Sequence, residues 1–266
     1  MLYICGTPIG NLQDITLRQL DTLKAVDLIA AEDTRHSRKL LTHFGINTPL
    51  TSYHDHSSET KTKYLLEKLL EGKKIALITD SGMPIISDPG LDIVRMCHAN
   101  NIPVTTVPGP TAFVSALIMS GLDVSSFTFF GFLTKKQKKD LSFLAKHEHT
   151  IILYEAPHKI LKTLELLKEA LGENRLISIS REITKFYEET LRLTIGEAVE
   201  HYKQNAPQGE FVIVIEKAEI EPQANTTPII EQVDNYIAKG YPKKDAIKMV
   251  AKDMRLPKSI IYKEVL

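Results

Sequence analysis

The sequence predicts an α/β protein of two domains, with a mostly parallel N-terminal sheet, a mixed C-terminal sheet and a small helical extension at the end of the chain. Three observations predict it. Short apolar runs alternate with helical patterns as far as the Pro/Gly cluster Val107-Pro108-Gly109-Pro110, and the pattern turns strand-rich from Phe127. A polar, proline-containing stretch, Glu219 to Pro228, then sets three short helical patterns apart. The 266 residues, 43% of them hydrophobic, suffice for two modest cores rather than one. The expected parts are residues 1–110, 111–217 and 218–266.

In order, strands are expected at Leu2 to Cys5, Leu28 to Ala31, Ile75 to Thr79 and Val104 to Val107. Helices at Ile15 to Lys24, Glu59 to Glu71 and Leu91 to Ala99 alternate with them, as a parallel sheet requires. Thr111 to Ser120 reads as a short helix after the Pro/Gly cluster. Five further strands are expected at Phe127 to Phe132, Thr150 to Tyr154, Leu176 to Ser180, Leu191 to Ile195 and Phe211 to Ile215, with helices at Pro157 to Ala170 and Gly196 to Gln204. In the extension, Ile229 to Ala238, Lys243 to Asp253 and Pro257 to Val265 have a helix-turn-helix rhythm, broken at Gly240-Tyr241-Pro242 and Arg255-Leu256-Pro257. From Pro228 on, eight Lys/Arg stand against five Asp/Glu, a mild bias that suits nucleic acid or a solvated helical cap.

Thirty-three basic and thirty-three acidic residues cancel, so no global field attracts a polyanion and any nucleic-acid binding is local. Cys5 and Cys97 lie far apart in apolar contexts, as reduced buried thiols of a cytosolic protein do. The start lacks the basic flank and length of a signal peptide, and no apolar run approaches membrane-spanning length. A cytoplasmic protein without a membrane partner is expected.

Neither G-x-x-x-x-G-K-[ST] nor a G-x-G-x-x-G after a strand occurs, which disfavours P-loop enzymes and dehydrogenases. Instead the strand at Ile75 runs into Thr79-Asp80-Ser81-Gly82-Met83-Pro84-Ile85-Ile86-Ser87-Asp88-Pro89-Gly90, where glycines admit close backbone approach and two isoleucines put apolar surface in a loop. The first strand ends in Gly6-Thr7-Pro8-Ile9-Gly10-Asn11-Leu12, at the sheet edge where such folds present ligands. Glu32-Asp33-Thr34-Arg35 at the same edge holds a polar substrate, serves as acid and base, or caps the next helix. His54-Asp55-His56 lacks further ligands at metal spacing and reads as a surface loop. Tyr154-Glu155-Ala156-Pro157-His158 follows a buried strand, Gly209-Glu210 precedes another, and Ser180 to Glu189 mixes charges with aromatics, as a solvated loop or a phosphate-and-base surface would.

Taken in order, Thr7 to Leu12, Glu32 to Arg35, Asp80 to Gly90, Pro108-Gly109-Pro110-Thr111-Ala112, Tyr154 to His158 and Arg181-Glu182-Ile183-Thr184-Lys185 closely resemble the tetrapyrrole-methylase superfamily, in the branch that methylates ribosomal RNA. The resemblance spans roughly residues 1–217, and the helical tail resembles that branch's C-terminal extension. Ser81 and Met83 stand where the pattern has alanine and threonine, and Lys159 where it has arginine.

The resemblance implies a two-domain tetrapyrrole-methylase-like fold that binds S-adenosyl-L-methionine between its domains. It further implies transfer of the methyl group to the ribose 2'-hydroxyl of a cytidine in the decoding region of 16S rRNA, within the small ribosomal subunit, by a homodimer without a metal. Carried over by position, the cofactor pocket involves Pro8, Met83, Ile86, Thr111, Ala112, Tyr154 and Glu210, with Gly82 giving backbone access. Asp80, Glu155 and Lys185 are candidates to assist deprotonation. Arg35 and Arg181 are candidates for RNA phosphates, and Lys135, Lys136, Lys138 and Lys139 either track the backbone or form a solvated loop. Two rivals remain at this level: a superfamily member acting on a tetrapyrrole or a diphthine-type side chain, and a non-catalytic ribosome-assembly factor. The Glu32 to Arg35 and Tyr154 to His158 segments favour the RNA branch over the first, and intact Gly and Pro turns argue against the second.

Overall fold

The computed structural model describes residues 1–54, 59–218, 228–254 and 256–265. Asp55 and His56 of the His54-Asp55-His56 segment, the expected linker at 219–227, and Arg255 of the last expected break lie outside the described residues. Internal contacts divide the chain into two units, Met1–Lys217 and Ala218–Leu266.

The first sheet of the larger unit is formed by β1 (Leu2–Cys5), β2 (Leu28–Ala31), β3 (Leu50–Ser52), β4 (Ile75–Ile78) and β5 (Val104–Val107). Every pairing is parallel, in the order β3-β2-β4-β1-β5. The crossovers are α1 (Leu17–Ala25), α2 (Thr34–His43), α3 (Glu59–Leu70) and α4 (Leu91–Ala99). Ile75 and Leu77 pack with Leu65 and Leu69 of α3 and with Ile93 and Cys97 of α4, whereas Ala76 and Ile78 pack with Leu23 of α1 and Leu41 of α2. Burial on both faces is why β4 reads as an unbroken apolar run. The neighbours β1 and β4 send their following helices to opposite faces, which opens a crevice at their carboxyl ends. Cys5 and Cys97 are free thiols within these cores, and burial pushes the Cys5 thiol up to about 12.

The second sheet comprises β6 (Phe127–Gly131), β7 (Thr150–Glu155), β8 (Leu176–Arg181), β9 (Glu189–Thr194) and β10 (Phe211–Ile215), ordered β6-β7-β10-β8-β9. Only the β6–β7 pairing is parallel. One face packs on α6 (Gln137–Ala145), α7 (Ile160–Leu171) and α8 (Ile195–Gln204), the other on α5 (Ala112–Ser120). The register aligns Glu155, Phe211, Arg181 and Glu189 across four strands. The ends of these strands therefore share one edge with the segment following Gly131.

Three elements were not expected from sequence. The helix α2 contains Leu40 and Leu41 as its only apolar residues, too few for a helical stripe. Strand β3 has three residues, and α6 opens with lysines that read as loop; Asp140 Oδ2 accepts from Thr134 N at 2.7 Å and Oγ1 at 2.8 Å, which sets that helix's entry. The strand expected at Leu191 to Ile195 ends instead at Thr194, because Thr194 and Glu197 form a capping box that starts α8.

In the smaller unit, α9 (Ile229–Ala238), α10 (Lys243–Asp253) and α11 (Lys258–Val265) enclose Val233, Ala246, Ile247, Val250 and Ile261. Tyr236 donates to Asp253 at 2.6 Å. No described helix is long and apolar enough to cross a membrane.

Candidate active site

Three loops of the first sheet lock together through glycines. Thr7 N donates to Gly82 O at 2.8 Å and Gly82 N to Thr7 O at 3.1 Å, joining the loops after β1 and β4. A Cβ on Gly6 would stand 2.8 Å from Gly109 Cα, so the loop after β5 lies against the loop after β1 at a distance only glycines allow. Gly82 adopts φ 81°, and its absent side chain would face Ile9 Cγ2 and Pro110 O.

The edge of the second sheet meets these loops at two places. Asn11 N donates to Thr184 Oγ1 at 3.1 Å, and Gly10 lies against Lys185. Gly131 lies beside Ser87. Of the five non-glycine residues with positive φ among the described residues, Ile85 and Ser87 sit in the loop after β4 and Glu182 and Thr184 in the loop after β8. For the β-branched Ile85 and Thr184 this is strained backbone, of the kind that concentrates at sites.

Between the edges lies a cavity of about 760 Å³, a size that suits a small-molecule ligand. Pro8, Asp80, Lys185 and Glu210 line it, together with Thr7, Thr79, Ser81 and the α2 residues His36, Ser37, Lys39 and His43. Asp33 N donates to Asp80 Oδ1 at 3.2 Å, and the neighbouring Thr79 hydroxyl donates to Glu32 Oε2 at 2.6 Å. Burial raises the Asp80 carboxyl above its ordinary value against the Asp33 N–H bond, and the Glu32 charge adds to the rise. Lys185 Nζ lies 3.0 Å from Glu182 Oε1 and 3.2 Å from Glu210 Oε2. Burial pulls the Lys185 ammonium down, but those two carboxylates outweigh it and hold it above its ordinary value. Lys185 is thus a fixed cation, and Asp80, Glu210, His36 and His43 are the cavity groups whose chemistry allows them to accept a proton.

Glu155 is turned away from this role. It is 6% exposed, and its carboxylate accepts from Ala156 N at 2.8 Å and from Thr163 Oγ1 at 2.6 Å, anchoring the entry to α7. Met83 packs against Gly6, Ile86 is exposed on the same loop, and Tyr154 meets Phe129 and Phe132 edge to face. Burial pushes the Tyr154 hydroxyl up to about 12, against a bond to the Phe113 backbone, with Asp88 and Glu210 adding to the rise. Thr111 is the N-cap position of α5 and makes no side-chain cap bond, while the Phe113 N–H of the first turn is met by the Tyr154 hydroxyl. Of the expected cofactor residues, Pro8 and Glu210 line the cavity, whereas Gly82, Met83, Ile86, Thr111, Ala112 and Tyr154 lie on neighbouring loops and elements outside its lining.

Arg35 Nη2 lies 3.2 Å from Asp33 Oδ2 and its side chain is 91% exposed; Asp33 also caps α2 through the Arg35 N–H at 2.8 Å. Arg181 Nε lies 2.7 Å from Glu189 Oε2 across the β8–β9 pair. Lys135, Lys136, Lys138 and Lys139 are all exposed at the entry to α6. Sequence reasoning missed His36, Ser37, Lys39 and His43 because α2 itself was not expected. The available signal was a ten-residue stretch with five basic residues and no acid.

Two α/β layers whose edges enclose a glycine-zippered crevice define a tetrapyrrole-methylase fold. The family of tetrapyrrole (corrin/porphyrin) methylases matches residues 1–199, and the chain belongs to it. Among relatives, the ribosomal RNA small subunit methyltransferase I of Synechocystis sp. is 45% identical over 98% of this chain and 96% of its own length. The protein of the same name from Bacillus subtilis (strain 168) is 45% identical over 98% of this chain and 92% of its own. The uroporphyrin-III-C-methyltransferase structure from Thermus thermophilus shares the fold with a TM-score of 0.58 at 19% identity, covering 80% of this chain and 93% of that one.

Proposed function

We propose that this chain is an S-adenosyl-L-methionine-dependent methyltransferase that methylates the ribose 2'-hydroxyl of a cytidine in the decoding region of 16S rRNA. The observation that carries this reading is near full-length similarity to proteins named for the small-subunit RNA, joined to a cavity lined by Asp80 and the ion-paired Lys185. Gly82, Met83, Ile86, Ala112 and Tyr154 would hold the apolar parts of the cofactor, Thr111 and its neighbours the carboxylate, and Pro8 and Glu210 the rim. When bound, the cofactor supplies a methyl group on a cationic sulfur that becomes neutral as the methyl departs. Asp80 accepts the proton of the attacking hydroxyl, and Lys185, fixed between Glu182 and Glu210, ties the loop after β8 to the start of β10. Positioning supplies most of the rate, on the order of 7–11 kcal/mol. The same reading makes the protein a cytoplasmic homodimer working on the small ribosomal subunit.

On the rim, Phe186 is 92% and Tyr187 69% exposed, with ring centroids 4.9 Å apart, next to the cavity residue Lys185. Such a pair supports a base-stacking role, which single-stranded RNA recognition commonly uses. Replacing both by alanine is expected to weaken RNA binding by roughly 1–3 kcal/mol per stacked base with cofactor affinity unchanged. Equal RNA affinity in a filter-binding titration would remove the pair from the interface.

The reading is tested by incubating the protein with labelled cofactor and small subunits from cells lacking the modification, then mapping the label. A ribose methyl at one decoding-region cytidine is the expected result. Label on a base, on protein or nowhere overturns it.

A further inference from the structure

The chain carries equal numbers of Asp/Glu and Lys/Arg, yet α2 carries no acid at all. Five of its ten residues, Arg35, His36, Arg38, Lys39 and His43, are basic. His36, Lys39, Leu40 and His43 recur at helical spacing, which sets them on one face, and that face lines the cavity. Ser37 lines it as well; it is 1% exposed and its hydroxyl has no partner among the described residues. Buried hydroxyls are nearly always bonded, so an unanswered one in a cavity wall marks a place for a ligand atom.

Across the cavity the charges are of the other kind. Asp80 and Glu210 face in from the sheet side, and the Lys185 charge there is already met by Glu182 and Glu210. Among the described residues Lys39 forms no ion pair. The cavity is therefore divided, with acids on the sheet side, where a cationic reactant is favoured, and the unpaired Lys39 on the α2 side, where an anion is favoured.

Building on the RNA-methylation reading, we propose that α2 is the wall that holds the RNA backbone, with Lys39 against the phosphate next to the reacting ribose. The Ser37 hydroxyl and the imidazoles of His36 and His43 supply hydrogen bonds to the same phosphate and its sugar. These are positioning residues, placed to fix the register of the strand while the sheet side carries out the chemistry.

The probe is RNA extracted from small subunits lacking the modification, bound across a salt series by wild type, Lys39→Ala, Lys39→Arg and Ser37→Ala. Calorimetric titration with S-adenosyl-L-methionine serves as the check on folding. Lys39→Ala is expected to reduce the slope of log affinity against log salt by about 1, with Lys39→Arg restoring it. Ser37→Ala is expected to weaken RNA binding about fivefold while thermal stability stays level or rises, since an unpaired buried hydroxyl has been removed. An unchanged slope in Lys39→Ala with intact cofactor binding overturns the assignment and leaves the methyl-transfer reading standing. Unchanged RNA affinity in Ser37→Ala removes the hydroxyl from the interface and counts against the wall. Wild-type protein that transfers no methyl group to the subunits overturns the functional reading, and this assignment falls with it.

Discussion

Gly109→Ala is expected to abolish cofactor binding and to destabilise the protein by about 1–3 kcal/mol, the range of core overpacking. A Cβ there would stand 2.6 Å from Gly6 O, 2.8 Å from Gly6 C and 2.9 Å from Gly6 Cα. All three obstacles are backbone, so no side chain can swing aside, and the loop after β5 must move away from the loop after β1. That shift separates the turn that starts α5 from Thr7 and Gly82, the pair that closes the neighbouring loop. Gly72→Ala is the matched control: nothing lies within 4 Å of its added Cβ, and φ is 86°. It is expected to cost about 1–2 kcal/mol for the left-handed backbone alone and to leave cofactor binding intact. Denaturant unfolding and calorimetric titration of both variants check the pair. A Gly109→Ala protein that binds cofactor as wild type does would mean these loops do not form the cradle.

Asp80→Asn is expected to lower single-turnover methylation about 10²- to 10⁴-fold, the usual contribution of a general base. The amide keeps an oxygen for the Asp33 N–H and nearly the same volume, so the cavity wall is retained and the change falls on proton acceptance. A rate within a few-fold of wild type, with cofactor bound, would exclude Asp80 as the base. The same substitution is expected to raise thermal stability at neutral pH. The folded-state pKa of Asp80 is raised by burial, so the ionised form is disfavoured by folding. That penalty is complete above the raised value and disappears as pH falls through it toward the ordinary aspartate range. The melting temperatures of variant and wild type should therefore diverge at neutral pH and converge in acid, and a gap that widens in acid would contradict the assignment. A site group held at a cost to stability is a common trade.

Much of the fold is legible because burial writes a period into the chain. Leu91–Ala99, Phe211–Ile215 and Ile229–Ala238 lie in the structure where the pattern puts them, since each presents an apolar stripe or run to a core. The helix α2 leaves little such trace, because it faces the cavity with basic residues and buries only Leu41 in the core. Glu155 shows the opposite limit. A carboxylate at a strand end beside Tyr154 reads as chemistry, but the register of β7 against β10 and the reach of Thr163 turn it into a helix anchor.

By itself the sequence determined the two α/β layers, the glycine- and proline-rich turns after the strands and the family to which they belong, because propensity, periodicity and turn chemistry are local. Only the tertiary structure decided which of those turns share a wall, that Asp80 and Lys185 face one cavity while Glu155 does not, and that a helix with a weak apolar pattern supplies its cationic side. Those are facts of register and packing, set by residues tens of positions apart, and no local pattern carries them.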